Sequence, residues 1–125
     1  MDSKHILVAI NDVFFYTKVR DALKPRGYTL EKARTQDDVT GKAETTRPSL
    51  IILNLNDESL DAFKALESLK GDARYKSIPV LAFANHEEVD NWKRAQQMGV
   101  AKIVSRNEFS SRTLALVQEV LGTNR

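Results

Sequence analysis

Four polar clusters in this sequence could carry chemistry, and each directly follows an apolar run. Asn11 and Asp12 follow the first run, Asn54 follows a central run, residues 84–86 end a later one, and Arg106 follows the last. Carboxylates in such positions can hold Mg²⁺, and a guanidinium can bind an oxoanion. The central residue, however, is an amide, whose delocalised nitrogen lone pair makes it a poor nucleophile.

The elements that must position these clusters are predicted from the hydrophobic pattern. The unbroken run Leu50-Ile51-Ile52-Leu53 is typical of a strand that is buried on both faces of a parallel sheet. The predicted strands are 6–10, 28–33, 50–53, 78–83 and 100–105, and the predicted helices are 13–24, 36–46, 59–70, 87–98 and 108–121. Strands that alternate with helices predict an α/β fold, with a parallel sheet covered on both faces and polar clusters at its carboxyl edge.

Composition places the chain among ordinary globular domains. The 125 residues predict one domain, 1–125, with 42% hydrophobic and 29% charged residues. The net charge of +2 does not indicate a nucleic-acid partner. With no cysteine there is no disulfide, thiolate or Cys-based zinc chemistry. The apolar run near the N-terminus is too short for a signal peptide or membrane span, so we expect a cytoplasmic protein without membrane contact.

Several of these features in combination resemble the receiver domains of two-component response regulators, the CheY-like family. The landmarks are the segment Lys4 to Asp12, the segment Pro48 to Leu69 with Asp61, Ile78-Pro79-Val80, Met98-Gly99 and a basic residue at position 106. The resemblance covers essentially the whole chain. It implies a flavodoxin-like, three-layer (βα)5 sandwich with sheet order 2-1-3-4-5.

The resemblance also implies a phosphorylation pocket, and this sequence departs from it at most positions. In the family, an acid pair binds magnesium, an aspartate accepts the phosphoryl group, a hydroxyl residue senses it and a lysine neutralises it. These roles fall on Asn11 and Asp12, Asn54, Ala84 and Arg106, so only Asp12 is unchanged. We therefore expect a degenerate pocket, a pseudo-receiver that is not phosphorylated, with weak or absent Mg²⁺ binding and no cofactor.

Charged residues around this pocket receive specific predictions. Arg106 and Asp12 have opposite charges and are predicted to form a bidentate ion pair that plugs the pocket. Asp57, Glu58 and Asp61 are interpreted as caps and dipole partners of the following helix, with Ser59 as its candidate N-cap. The two histidines, at positions 5 and 86, lack metal-ligand spacing, so no metal site is predicted.

A partner surface is expected on the fourth helix, the fifth strand and the last helix, because the family commonly binds partners there. The candidate residues are Trp92, Gln96, Ile103 and Leu116, with Trp92 either at the border of the core or exposed. Val89, Ala95 and Met98 are interpreted as a sheet-facing stripe. The last helix carries a wide apolar arc, which suggests a homodimer through the fourth and fifth helices.

Two functions from different classes follow from these observations. The leading hypothesis is a phosphorylation-independent interaction domain that binds another signalling protein, an adjacent domain or a second copy of the chain. The alternative is a sensor of a small anion or nucleotide, held in the crevice by Asn11, Asn54, Asn85 and Arg106. The segment 11–15 has no glycine for close approach to a phosphate, which argues against this alternative and against an FMN carrier. No catalytic set is visible, so an enzyme is not predicted.

Overall fold

The computed structural model describes residues 4–57 and 60–123, which contain a five-stranded sheet flanked by helices. The strands are β1 (His5–Ala9), β2 (Thr29–Lys32), β3 (Leu50–Asn54), β4 (Val80–Ala84) and β5 (Lys102–Ser105). The helices are α1 (Val13–Leu23), α2 (Gln36–Thr46), α3 (Ala62–Lys70), α4 (Val89–Gln97), α5 (Arg106–Ser111) and α6 (Thr113–Thr123). A short 3₁₀ turn, Lys24–Arg26, extends α1.

All neighbouring strands are parallel, and their order is β2-β1-β3-β4-β5. The α/β class and the sheet order predicted from the sequence are therefore confirmed. The register places Asn54 opposite Phe83 and Ala84 opposite Ser105. Because the strands run in the same direction, the loops that follow them meet at one edge of the sheet, the carboxyl edge.

The central strand β3 divides the core into two layers. Successive side chains of a strand point to opposite faces of the sheet. Leu50 and Ile52 belong to the cluster formed with α1, α5 and α6, whereas Ile51 and Leu53 belong to the cluster formed with α2, α3 and α4. All four side chains are fully buried. The unbroken apolar run thus reflects burial on both faces, and the result is the predicted three-layer sandwich.

The last helix differs from its prediction because it is broken. Residue Arg112 leaves the helical conformation, with φ −131° and ψ 31°, and separates α5 from α6. The hydroxyl of Thr113 donates to the carbonyl of Phe109 (2.7 Å), and serine and threonine at 110, 111 and 113 favour such local bonds over a regular helix. Leu116, in α6, is 0% exposed. Its predicted place on a partner surface is wrong, because it faces the core.

The start of α3 also lies later than predicted. The helix begins at Ala62, and the candidate cap Ser59 and its neighbour Glu58 lie outside the described residues. Asp61 is the N-cap: it adopts a left-handed conformation (φ 50°), and its side chain accepts a hydrogen bond from the backbone N–H of Lys64 (3.4 Å). The capping interpretation of Asp61 is therefore confirmed.

The end of α4 follows its sequence signal. Gly99 stands just beyond the helix with φ 90°, a conformation that a residue with a side chain rarely adopts. No helix in the described part of the chain is long and apolar enough to cross a membrane.

Candidate functional site

Asn54 ends the central strand at the carboxyl edge and is nearly buried (5% exposed). Its side-chain oxygen Oδ1 accepts a hydrogen bond from the backbone N–H of Asn56 (2.9 Å), and its carbonyl oxygen accepts from the N–H of Asp57 (3.4 Å). Asparagine commonly bonds the backbone two residues further on in this way and so shapes a turn. At the end of the central strand, the chain thus has an amide that orders the following loop.

Asn11 and Asp12 lie in the loop after β1, and both have structural hydrogen bonds. The Oδ1 atom of Asp12 accepts from the backbone N–H groups of Phe14 (2.9 Å) and Phe15 (3.2 Å), so this carboxylate is the N-cap of α1. The side-chain amide of Asn11 donates to the carbonyl of Arg34 (2.9 Å) and joins this loop to the one after β2. The predicted acid pair is therefore one helix cap and one bridge between loops.

Asp57 belongs to this site, although the sequence interpretation assigned it to the start of α3. Its Oδ2 atom accepts a hydrogen bond from the backbone N–H of Asn11 (3.0 Å). The interpretation of Asp57 as a helix cap is wrong, because α3 begins five residues later and Asp61 caps it. Among the described residues, the loop after β1 and the loop after β3 thus each contribute a carboxylate, that of Asp12 and that of Asp57. Within residues 4–57 and 60–123, no cluster of three or more acidic, histidine or cysteine side chains could hold a metal ion.

A hydrogen-bonded group around Asn56 fixes the loop after β4, and we call Asn56, Asn85 and Glu88 the Asn56 latch. The Oδ1 atom of Asn56 accepts from the backbone N–H of Asn85 (2.8 Å), and its Nδ2 atom donates to the carboxylate of Glu88. Asn91 donates to the same carboxylate (3.1 Å), and the Trp92 indole N–H donates to the Asn85 carbonyl (2.9 Å). The sequence interpretation missed these contacts, and the two that Asn56 makes join residues 29 and 32 positions apart in the chain.

Ala84, the last residue of β4, is fully buried and belongs to the core cluster on the α2–α4 side. A methyl group there cannot hydrogen-bond an anion. The adjacent loop is nevertheless held in place, since its backbone bonds to the side chain of Asn56. The position of this loop therefore depends on the hydrogen bond between the backbone of Asn85 and the side-chain amide of Asn56.

Arg106 opens α5 and does not pair with Asp12, so the predicted ion pair is wrong. Its guanidinium carbon lies 4.8 Å from the centroid of the Phe15 ring, a cation–π contact. The Asp12 carboxylate is instead turned toward its own helix, where it caps the first turn. Phe15 competes for the guanidinium because its aromatic face is within reach and needs no second desolvated charge.

A cleft of about 410 Å³ lies beside this guanidinium. We call it the Arg106 cleft, and its lining residues are Phe15, Asn85, His86, Ser105, Arg106 and Asn107. It brings together Asn85 and Arg106 from the predicted anion crevice. Asn11 and Asn54 are not among its lining residues: the side chain of Asn11 bonds to the loop after β2, and that of Asn54 bonds within its own loop. The predicted crevice is thus divided into two parts.

The predicted partner residues differ in accessibility. Gln96 is exposed, whereas Trp92 and Ile103 are partly buried and pack against the core cluster on the α2–α4 side. Val89, which the sequence interpretation placed on the sheet-facing stripe, is 55% exposed. Val89, Trp92 and Gln96 recur at helical spacing along one side of α4, so they form a surface strip. We call these three residues the α4 strip.

The comparisons with known proteins rest on structure. No protein-family model matches the sequence, and neither does any curated protein. Among solved structures, the receiver domain of a signal transduction histidine kinase from Syntrophus aciditrophicus superposes with a TM-score of 0.84 at 20% identity, covering 96% of this chain and 91% of that one.

Two further solved structures agree with this match. The chemotaxis response regulator CheY4 of Vibrio cholerae has a TM-score of 0.83 at 18% identity and covers 95% of this chain and 99% of its own. A CheY-like response regulator receiver domain protein from Methanospirillum hungatei has a TM-score of 0.85 at 16% identity, covering 98% and 97%. The chain therefore has the fold of the CheY-like receiver domains of signal transduction proteins.

Proposed function

We propose that this chain is an atypical receiver domain, a pseudo-receiver, that acts in signal transduction through protein contacts and without phosphorylation. The observation that carries the proposal is the state of Asn54. It occupies the end of the central strand, it is nearly buried, and its side-chain oxygen bonds the backbone of its own loop. An uncharged amide in this arrangement does not attack phosphorus.

The loop after β4 supports the same proposal. In the family, a hydroxyl in this loop follows the phosphoryl group, but here the corresponding side chain is the buried methyl of Ala84. The Asn56 latch holds the loop through Asn85 and Glu88. A domain whose loop is fixed by its own amides presents one surface at all times, which suits a constitutive binding function.

The proposed binding surface is the α4 strip together with the neighbouring Ile103 on β5. Trp92 is partly buried and lies beside the exposed Val89. Tryptophan is among the residues that contribute most binding energy at protein interfaces. The proposed partner is another signalling protein, an adjacent domain or a second copy of this chain, in the cytoplasm. Neither nucleic acid nor membrane is proposed as a partner, and the proposal is of a binding domain and not of an enzyme.

The first experiment measures the thermal midpoint of the domain alone, with Mg²⁺, and with Mg²⁺ plus beryllofluoride. A ligand at a hundred times its dissociation constant stabilises the folded state by about 2.7 kcal/mol, which shifts the midpoint by several degrees. We expect no shift, because Asn54 offers no carboxylate to the beryllium. A Mg²⁺-dependent shift of several degrees contradicts the proposal.

A second experiment asks whether the acceptor alone is missing. We expect that the Asn54→Asp variant is not labelled by acetyl phosphate, because Asn11, Ala84 and Arg106 also depart from the family pattern. Intact-mass spectrometry after incubation with acetyl phosphate and Mg²⁺ measures the labelling. Robust labelling would show that the remaining pocket is functional and that one substitution inactivates it.

The binding surface is tested first against a second copy of the chain. If the α4 strip forms a homodimer, sedimentation velocity at rising concentration detects it, and Gln96→Arg weakens it by placing two like charges near each other. Gln118→Arg is the matched control, because Gln118 lies on α6 among residues that face α1. A monomer at all concentrations excludes the second copy and leaves another protein as the proposed partner.

A further inference from the structure

We propose that the Arg106 cleft binds an organic carboxylate. The inference does not rest on the proposed protein-binding function, because the cleft lies between the loops after β4 and β5 and not on the α4 strip. A larger groove of about 770 Å³ lies at the opposite edge of the sheet, but the charged residue that lines it, Lys4, already donates to the carbonyl of Arg26 (3.0 Å). The Arg106 cleft is the better candidate, because among residues 4–57 and 60–123 its cation has no such partner.

An aromatic stack holds the Arg106 guanidinium in place. The rings of Phe83 and Phe109 stack with centroids 4.4 Å apart, and Phe15 stacks on Phe83 at 5.3 Å. Phe83 and Phe109 are fully buried, so the stack is anchored in the core. The guanidinium carbon of Arg106 lies 4.8 Å from the Phe15 centroid. The side chain therefore reaches the cleft with little freedom left to lose on binding.

The N–H groups of this guanidinium remain available. Within the described part of the chain, the Arg106 guanidinium has no carboxylate within ion-pair distance and donates no hydrogen bond, and the residue is partly buried. The face of the group rests on an aromatic ring, which cannot satisfy the N–H donors at its edge. An arginine presents these donors as a planar fork that fits a carboxylate with two parallel bonds.

The other polar groups of the cleft are suited to support such a ligand. The side-chain amides of Asn85 and Asn107 lie in exposed residues that line it. The oxygen of Ser105 accepts a bond from the backbone N–H of Glu108 (3.0 Å), which leaves its own hydroxyl hydrogen as a donor. These groups are uncharged and can orient a ligand without adding to the charge of Arg106.

Charge and size select the class of ligand. One guanidinium balances one negative charge, which matches a carboxylate, whereas a phosphate monoester carries about −1.5 to −2 at neutral pH. The volume of about 410 Å³ falls within the usual range of small-molecule pockets and exceeds what a carboxylate alone would fill. The ligand is therefore a carboxylate attached to an organic group, either in a free small acid or in an acidic side chain of a protein.

The experiment is an NMR titration of the full chain at constant ionic strength, followed through the backbone amides of Asn85, His86 and Asn107. The probes are benzoate, a blocked tripeptide with a central glutamate, and inorganic phosphate. We expect both carboxylates to shift these signals at lower concentration than phosphate does. Tighter binding of benzoate assigns the site to a free acid, and tighter binding of the peptide assigns it to a protein side chain.

Three variants test the role of the guanidinium. Arg106→Gln is expected to weaken carboxylate binding about ten-fold or more, since a bidentate charged contact is lost. Arg106→Lys keeps the charge but not the planar fork, and it should show a smaller loss. Arg26→Gln is the matched control, because it removes the same charge near the opposite edge of the sheet and should leave the affinity unchanged.

Several results would overturn the inference. The first is the absence of a shift with either carboxylate, from 50-fold the protein concentration up to ~50 mM, where even weak single contacts are detected. The second is phosphate binding as tight as that of the carboxylates. The third is an equal loss of carboxylate affinity in Arg106→Gln and Arg26→Gln. The thermal midpoint of each variant is measured alongside. If Arg106→Gln does not fold, Arg106→Lys tests the inference instead. Because this variant retains the charge, a loss of carboxylate affinity reports the loss of the planar fork, and an unchanged affinity would overturn the inference.

Discussion

The carboxyl edge of the sheet has two halves that treat their polar groups in opposite ways. In the closed half, Asn54 and the Asn56 latch bond to one another and to neighbouring backbone. In the open half, the Arg106 guanidinium rests on Phe15, and its donors face a cleft. A polar group that is already bonded gains little from a ligand, because a new bond must replace an old one. Binding capacity is therefore expected in the open half.

The largest expected effect comes from removing the ring of Phe83, which supports both halves. Phe83 is fully buried, stacks with Phe15 and Phe109, and directly precedes the buried Ala84. We expect Phe83→Ala to lower the free energy of unfolding by about 3–5 kcal/mol, because it removes a buried ring and leaves a cavity. Urea unfolding followed by Trp92 fluorescence measures this loss.

The matched control for that variant is Phe14→Ala. Phe14 stands in the first turn of α1 and is 83% exposed, so the same change of side chain there should alter stability by about 0.5 kcal/mol or less. Equal losses in the two variants would mean that the stack does not support the edge. A large loss in Phe83→Ala alone would confirm that the two halves rest on one core.

The next test opens the closed half. Asn56→Ala removes the bond from the Asn85 N–H and the bond to the Glu88 carboxylate. We expect a loss of about 1–2 kcal/mol, since the freed groups lie near solvent and regain water. The Trp92 indole should report the change, because it donates to the carbonyl of Asn85. The thermal midpoint and the Trp92 emission maximum measure the two effects.

Asn107→Ala is the matched control for the latch, because Asn107 is an exposed amide in the open half. It should leave the thermal midpoint and the Trp92 emission almost unchanged. Asn56→Asp sharpens the test, since it places a second carboxylate against Glu88 and should destabilise more than alanine does. A latch variant that behaves like the control would show that the loop after β4 is held by other contacts.

The difference between the halves also explains which parts of the site were predictable from the sequence. The strand ends were predictable, because an apolar run that stops at a polar residue is a local signal, and it placed Asn54 at the end of β3 and Arg106 directly after β5. The sheet order came from the family resemblance. The predictions of the strand ends depend only on residues that are neighbours in the chain.

The partners of the side chains were not predictable in the same way. Arg106 was predicted to pair with the carboxylate of Asp12, but in the fold it contacts the ring of Phe15. Asp12 instead accepts hydrogen bonds from two backbone N–H groups of its own helix. Asp57 was assigned to the wrong element because its partner lies 46 residues away. Leu116 was misassigned because the apolar arc of the last helix is wide, and the sequence does not show which of its members face the core.

The smallest expected effect concerns the guanidinium of Arg74, which is paired with a carboxylate. Arg74 donates through Nε and Nη2 to the carboxylate of Asp72, at 3.2 and 2.9 Å. These side-chain bonds, followed by a bond from the Arg74 backbone N–H, lower the pKa of Asp72 below its ordinary value. Arg106 has no such partner among the described residues. The two arginines therefore differ as the two halves of the edge do: the donors of Arg74 are bonded, and those of Arg106 are available.

Arg74→Gln should therefore raise the pKa of Asp72 part of the way back, because the backbone bond remains. Since the folded-state pKa is lowered, the charged carboxylate favours the folded state. That contribution is complete above the unfolded pKa of about 3.9 and is lost as the pH falls through the folded pKa. In Arg74→Gln this contribution should be smaller, and its loss should be complete at a higher pH. A carboxyl NMR titration of Asp72 measures the shift.

Arg94→Gln is the control, because Arg94 lies over the ring of Phe63 and has no carboxylate partner among the described residues. An unchanged Asp72 titration in Arg74→Gln would mean that the backbone bond alone sets the pKa of Asp72. Arg74 could then no longer serve as the paired guanidinium with which the unpaired Arg106 is compared.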